Sequence, residues 1–369
     1  MKSMREKQQM LALTGLRFIA ALWVFLFHIQ IRWPLSNNFM VRNILDQGAV
    51  GTSIFFMLSG FLLAYRYADS RSSLRTYLIA RFARIYPIYM VAAVVTLPWL
   101  GVNFDGNSLQ GILHKVAKIV LLIVSNIFLV QAWFPPYFSF WNNGASWSIS
   151  VEAFLYLILP LTLPILRSAT KKKLLVIVLI CYFLAAAPGI SASLYESPLS
   201  HIYYSVPIFR LPEFLIGACI YFFMRQGYEY QRGIIVQVMT LLLFLFYLGI
   251  AGHKLPLYVG HNWIAIPCIG FFIFSLSSER GFAAQFLSLP FFEWLGKISY
   301  CFYSFQALII LLLIDNHEEI VEFLPVLSNN KFLAAVVFFV LTFCSAVGYC
   351  FIENPSHKWI IQKWSKIVN

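Results

Sequence analysis

Five ionisable residues sit inside stretches that are otherwise apolar: Arg17, His28, Glu152, Arg210 and Glu213. A central charge in a bilayer costs about 2.5–3.5 kcal/mol on insertion scales, so each of them is a candidate for function. Neutral imidazole takes and returns a proton near pH 7 without a large shift, which makes His28 a candidate general base. Arg17 lies eleven residues before it, so on a helix the two share a face about 16 Å apart along the axis. Glu152 is the carboxylate that could orient such a base. A histidine that only satisfies packing explains His28 as well. Arg210, Glu213 and Gly217 fall at i, i+3 and i+7 on one helix face, with Gly217 open to a neighbouring backbone. An internal ion pair that fixes packing gives the same spacing, although the Arg210 guanidinium keeps donors after one pair.

Two further constellations carry chemistry. In Ser146-Trp147-Ser148-Ile149-Ser150-Val151-Glu152, Ser148 and Glu152 share a face and Ser146 is placed to cap a helix. The preceding stretch, Pro135 to Gly144 with Trp141, Asn142 and Asn143, offers aromatic faces and amides that suit a sugar. An interfacial aromatic belt uses the same residue types. Arg81 and Arg84 stand at i, i+3 at the edge of an apolar span, with Arg66, Arg71 and Arg75 nearby. Arginine forks match phosphate oxygens, whereas membrane anchoring, which needs no spacing, fully accounts for Arg66, Arg71 and Arg75.

The elements that must position these groups are membrane helices. Of 369 residues, 60% are hydrophobic and 11% charged, with mean hydropathy +0.76. A soluble domain carries about 45–50% apolar and about 25% charged residues. The composition thus excludes a soluble domain, disorder, collagen, coiled coil and a disulfide scaffold, and it indicates an all-α integral membrane protein. The apolar spans are 11–31, 48–65, 82–100, 147–166, 174–190, 205–224, 234–251, 258–276, 298–314 and 332–352, with an eleventh stretch at 113–132.

Charge decides whether 113–132 crosses. With the N-terminus cytoplasmic and that stretch not crossing, 19 of the 27 Lys and Arg fall inside, among them Arg66, Arg71, Arg167, Lys171, Arg225, Arg232 and Arg280, and six fall outside. A full crossing breaks this asymmetry. Ten transmembrane helices with both termini cytoplasmic, and a re-entrant or interfacial segment at 113–132, are therefore expected. The same asymmetry explains the net charge of +12 without a nucleic-acid partner. The first span contains Arg17 and His28 and lacks a small-residue cleavage site, so it reads as a helix and not as a signal peptide. The six cysteines lie in apolar runs at no metal-like spacing, and neither a metal site nor disulfides are expected. No repeat at a fixed period supports an inverted-repeat transporter.

Taken together, these segments resemble the membrane acyltransferase-3 family. The stretch from Leu13 through Arg17 to His28 is similar to its Arg-then-ten-then-His motif. Gly48 to Phe61, Arg81-Phe82-Ala83-Arg84 and Ser146 to Glu152 look like its next three signatures. Arg210-Leu211-Pro212-Glu213-Phe214 with Gly217, Gly296 to Tyr300 and Phe351 to Pro355 complete seven colinear motifs. The resemblance implies acyl transfer, usually acetyl from acetyl-CoA, onto a hydroxyl of a cell-surface or exported polysaccharide or glycolipid. It also implies a bacterial inner-membrane location, His28 as the catalytic residue, and Arg81 and Arg84 on the CoA side. Thr14 and Ser53 stand where the family often has Asp, and Gln306 where many members have His, so those duties do not transfer. This shifts weight onto Glu152 as the partner of His28.

The expectation is one polytopic acyltransferase domain over 1–369 with no fused extracytoplasmic domain. It acts alone or with polysaccharide biosynthesis partners. Catalysis is assigned to His28 and Glu152 with Arg17 and Arg210, donor binding to Arg81 and Arg84, and acceptor binding to Ser146, Trp147, Ser148 and Glu213. The partners are the lipid bilayer, acyl-CoA and a carbohydrate acceptor. The rival reading is a proton-coupled transporter or flippase of envelope intermediates, which has no need of the Arg81/Arg84 spacing.

Overall fold

The computed structural model describes residues 2–70, 72–102, 109–141, 143–195, 200–228, 234–255, 258–277 and 281–368. Arg71, Asn142, Arg232 and Arg280, named above, lie outside them. Among the described residues the secondary structure is entirely helical. Hydrocarbon offers a backbone no hydrogen bonds, and a helix satisfies its own. The α-helices are α1 (Lys2–Gln30), α2 (Phe39–Asp46), α3 (Gly51–Tyr67), α4 (Leu74–Val95), α5 (Leu109–Ile127), α6 (Asn143–Arg167), α7 (Lys171–Tyr195) and α8 (Ser200–Ser205). There follow α9 (Pro207–Arg225), α10 (Ile234–Ala251), α11 (Asn262–Ser277), α12 (Phe282–Leu287), α13 (Pro290–Phe323), α14 (Asn330–Gly348) and α15 (Asn354–Val368). A π-turn, Tyr349–Glu353, joins the last two.

Local chemistry sets several of the starts. The Asn38, Ser73 and Asn329 side chains cap α2, α4 and α14 by accepting from backbone N–H groups of the first turn. Pro207 and Pro290 open α9 and α13, where a missing N–H costs nothing.

Eleven helical segments among the described residues are long and apolar enough to cross a membrane. Ten coincide with the expected spans, and the eleventh is Gln110–Ile127. Its surroundings agree with a segment that does not cross. The Trp141 N–H donates to the Leu100 carbonyl at 3.1 Å, so the chain leaves and returns at one point. The end of α5 is held part-way down α4, where the Tyr89 hydroxyl donates to the Asn126 carbonyl at 2.9 Å.

The bundle is tied together by close backbone approaches. α3 and α9 cross through reciprocal glycines: a Cβ on Gly60 would overlap the Phe214 carbonyl, and one on Gly217 would overlap the Met57 carbonyl. Small residues of this kind let membrane helices touch backbone to backbone. A second core of edge-on rings joins α1, α13 and α14, with Phe302 5.4 Å from Phe18 and 5.7 Å from Phe25. On the side opposite the basic loops, the Trp99 indole donates to Asp315 at 2.6 Å.

Gly217→Leu is expected to abolish a monodisperse folded species in size-exclusion chromatography in detergent, whereas Gly270→Ala, where a Cβ meets only the ends of the Met57 and Ile220 side chains, is expected to retain it. A Gly217→Leu protein that elutes like wild type would show that the α3–α9 contact is dispensable.

Candidate active site

On the side that the basic loops assign to the cytoplasm, α1, α3, α4 and the π-turn enclose a vestibule of about 640 Å³. Arg17, Arg66, Arg81, Arg84, Glu353 and His357 are among its lining side chains. It leads into a narrow throat of about 50 Å³, because Arg17, Ser59, Arg84 and Tyr156 line both. The throat continues past Glu152, Thr52 and Ser148 to Tyr300 and Tyr303.

Arg81 and Arg84 occupy one face of α4, as their spacing requires, yet their partners differ. Arg81 donates to the Tyr67 hydroxyl at 3.2 Å and lies over the Tyr67 and Tyr156 rings. Arg84 forms a short ion pair with Glu353 and lies over the Tyr300 ring. Glu353 is buried and also accepts from the Cys301 thiol at 3.0 Å. The π-turn sets Glu353 at this place. An inserted residue rotates a helix face by roughly a quarter turn, and such turns recur at functional sites.

Glu152 lies deep in the throat. Its carboxylate accepts from Ser59 at 3.4 Å and, in a short bond, from the Tyr156 hydroxyl one turn on. Ser148 donates to the Tyr303 hydroxyl at 2.7 Å. The tyrosines of this wall, Tyr156, Tyr300 and Tyr303, carry no motif spacing of their own. They were legible in the sequence only as generic membrane aromatics.

The expected partnership of His28 with Glu152 is not what the structure shows. His28 stands near the far end of α1, outside both cavities, where its imidazole meets the Gln306 side chain and stacks at a tilt on Phe27. Its Nδ1 is buried and has no hydrogen-bond partner among the described residues. Glu152 belongs instead to the level of Arg17 and Arg84. The reason is helix length: α6 enters from the far side, and Glu152 lies nine positions beyond its first residue, Asn143, about 14 Å of descent. One link joins the two regions. Tyr303 at the throat and Gln306 beside His28 are one turn apart on α13, about 4.5 Å along the axis.

Four other expected site residues prove to be packed, not presented. Arg210 is 1% exposed and Glu213 fully buried, and the two pair at 3.2 Å. Arg210 also donates to Thr52 at 3.1 Å and Ser53 at 3.0 Å, within a cage of the Phe56, Trp147 and Tyr204 rings. Glu213 further accepts from Ser53 and Asn262, both at 3.2 Å. Neither residue lines the throat, and Arg210 acts on it only through Thr52. Trp147 is buried in the Arg210 cage, and the Ser146 hydroxyl accepts from Gln131 at 3.2 Å. Of the four proposed acceptor contacts, Ser148 alone reaches the throat. Burial keeps the Arg210–Glu213 pair away from a ligand in the throat, although Arg210 Nε and Glu213 Oε2 have no hydrogen-bond partner among the described residues.

Among the described residues no group of three or more His, Cys, Asp or Glu side chains is arranged to hold a metal ion. What the residues do offer is a basic chamber open on one side, a polar throat, and a histidine with a free nitrogen beyond it. This is the geometry of a multi-pass membrane protein suited to an anionic ligand entering from the side of its basic loops.

The chain belongs to the acyltransferase-3 family, whose sequence model, an acyltransferase domain, matches residues 10–363. Over 248 residues it is 29% identical to acyltransferase MdmB of Streptomyces mycarofaciens, covering 62% of this chain and 61% of that protein. It is 29% identical over 209 residues to an uncharacterised protein of Haemophilus influenzae, covering 52% of this chain and 84% of that one. A Staphylococcus aureus protein provisionally named an O-acetyltransferase is 23% identical over 383 aligned positions, covering 96% of this chain and 58% of that protein. The chain thus spans about three-fifths of the length of the Streptomyces and Staphylococcus relatives. No solved structure matches it significantly.

Removing one partner of a buried ion pair costs about 3–5 kcal/mol, whereas replacing both with apolar groups of similar volume costs far less. Arg210→Met is accordingly expected to lower the thermal unfolding midpoint in detergent, and Arg210→Met/Glu213→Leu to recover part of the loss. A double variant as unstable as the single one would place the role of Arg210 in its bonds to Thr52 and Ser53 instead.

Proposed function

We propose that the protein is a membrane O-acyltransferase that moves an acyl group, acetyl in the first instance, from acyl-CoA to a hydroxyl of a cell-surface or exported polysaccharide or glycolipid, in a bacterial inner membrane. The observation that carries this reading is the continuity of the arginine-lined vestibule with the throat. A phosphate-bearing donor is attracted by Arg81 and Arg84, and its thin pantetheine arm passes Arg17 towards Glu152, Ser148 and Tyr303. Family membership supports acyl transfer, and the names of the relatives support an O-acetyl product.

In this reading His28 acts as general base from the far side. Its imidazole takes the proton of the acceptor hydroxyl as that oxygen attacks the acyl carbon. The carbon–sulfur bond breaks, and the thiolate leaves with a proton returned through the site. An acyl-His28 intermediate followed by transfer to the acceptor satisfies the same balance. Gln306 sets the angle of the ring, the duty first given to Glu152. Ser148 donates to the oxygen of Tyr303, which leaves the phenol proton free to stabilise the negative charge on the thioester oxygen. Glu152 serves the throat, where it holds Tyr156 and Ser59 and balances Arg17 and Arg84. Arg210 and Glu213 support the wall through Thr52 and Ser53. A transporter reading gains no observation of its own and has no need of the Arg81/Arg84 spacing.

The test is transfer of radiolabel from acetyl-CoA to envelope carbohydrate in membranes carrying wild type, His28→Ala or Arg81→Ala. General-base action is worth about 10²–10⁴ in rate, so His28→Ala is expected to lose that much at normal protein levels. Arg81→Ala is expected to need more acetyl-CoA for the same rate. Undiminished transfer by His28→Ala would remove His28 from the chemistry, and no label on any acceptor in wild type would overturn the reading.

A further inference from the structure

Arg66 is one of a set of basic residues that membrane anchoring was sufficient to explain, but the structure turns it to the wall of the vestibule beside Arg81, Arg84 and His357. We propose that Arg66 and His357 form the site for the ribose 3′-phosphate of the CoA donor, and that Arg81, one step deeper, takes the diphosphate. This rests on the acyl-CoA reading above and assigns residues to each phosphate.

Charge is the first argument. The vestibule wall carries four arginines, Arg17, Arg66, Arg81 and Arg84, against the single carboxylate of Glu353. Glu353 is already committed to Arg84. Among the described residues neither Arg66 nor Arg81 forms an ion pair with a carboxylate. Arg81 also has a buried Nε with no hydrogen-bond partner among the described residues. A buried guanidinium nitrogen left unsatisfied is costly, and a phosphate oxygen satisfies it. A terminal phosphate brings about −1.5 to −2 charges at pH 7 and three acceptor oxygens, which matches a cluster with unspent donors.

Depth is the second argument. Arg66 lies at the last turn of α3 and is exposed at the mouth. His357, one turn beyond Glu353 on α15, and Arg81 are half-buried. Arg17 and Arg84 are innermost, since they line the throat as well. CoA presents its groups in the order 3′-phosphate, diphosphate, pantetheine and thioester. With the thioester inward, the 3′-phosphate falls at Arg66 and His357, the diphosphate at Arg81, and the uncharged arm along the Arg84–Glu353 pair. A neutralised arginine beside an uncharged arm is consistent with that order.

The experiment compares acetyl-CoA with acetyl-3′-dephospho-CoA as donors for wild type, Arg66→Gln, His357→Gln and Arg81→Gln, each shown to be folded by size-exclusion chromatography. Charge-assisted hydrogen bonds of this class are worth about a tenfold change in KM. Wild type is expected to show a KM about tenfold lower for acetyl-CoA than for the dephospho donor. In Arg66→Gln and His357→Gln that ratio is expected to fall towards one, while Arg81→Gln raises KM for both donors and keeps the ratio. A ratio in Arg66→Gln equal to that of wild type overturns the assignment, whatever the absolute KM. Turnover of neither donor by wild type overturns the acyl-CoA reading itself, and the assignment with it.

Discussion

An arginine or carboxylate in hydrocarbon must be paired, or must border a cavity that water or a ligand can fill, and this constraint organises the bundle. Arg210 and Glu213 take the first solution. They neutralise each other in the interior, and Arg210 Nη2 donates to Thr52 and Ser53 on α3. Those short side chains reach the guanidinium only because α3 and α9 touch backbone to backbone at Gly60 and Gly217. Arg17, Arg81 and Glu152 take the second solution and border the cavities. Arg84 combines both: it closes an ion pair with Glu353 while still lining the vestibule and the throat.

Features that depend on spacing along one helix were legible in the sequence. The apolar helices, the shared face of Arg81 and Arg84 and the Arg210–Glu213–Gly217 face all follow from period and composition. Features that depend on a partner far along the chain were not. Arg84 and Glu353 are 269 residues apart, and Glu353 reaches its partner from a π-turn, where counting at 3.6 residues per turn misplaces a side chain. Arg66 and Arg75 are indistinguishable as basic residues near a span end, yet Arg66 lines the vestibule while Arg75 lies over the Trp364 ring.

The pairing of His28 with Glu152 illustrates the limit from another side. Both residue types fit a base and its orienting group, and both lie on inward helix faces. Depth separates them: α1 carries His28 near its far end, while α6 carries Glu152 well down from the same side. What stands beside His28 is an amide, Gln306, which cannot take up charge as a carboxylate does. A histidine so placed keeps a free nitrogen to accept a proton, and a carboxylate partner would hold the ring more firmly in its protonated form.

The difference in size between the two cavities bears on how a reactive thioester survives such a site. A water needs at least roughly 10–15 Å³ of accessible space and two to four polar partners to be held. The throat, at about 50 Å³, has room for few, and its polar atoms are largely engaged with one another through the Ser148–Tyr303, Ser59–Glu152 and Tyr156–Glu152 bonds. An extended arm that fills the throat displaces what water is there. Exclusion of water from the reacting centre favours transfer over hydrolysis. On the acyl-CoA reading, the same narrowness keeps a bulky acceptor out of the vestibule. Donor and acceptor then meet from opposite faces of the membrane, with His28 on the acceptor's side of the constriction. That arrangement fits the gathering of Arg17, Arg66, Arg81 and Arg84 on one side of the throat, with His28, whose carbonyl accepts from Arg32, on the other.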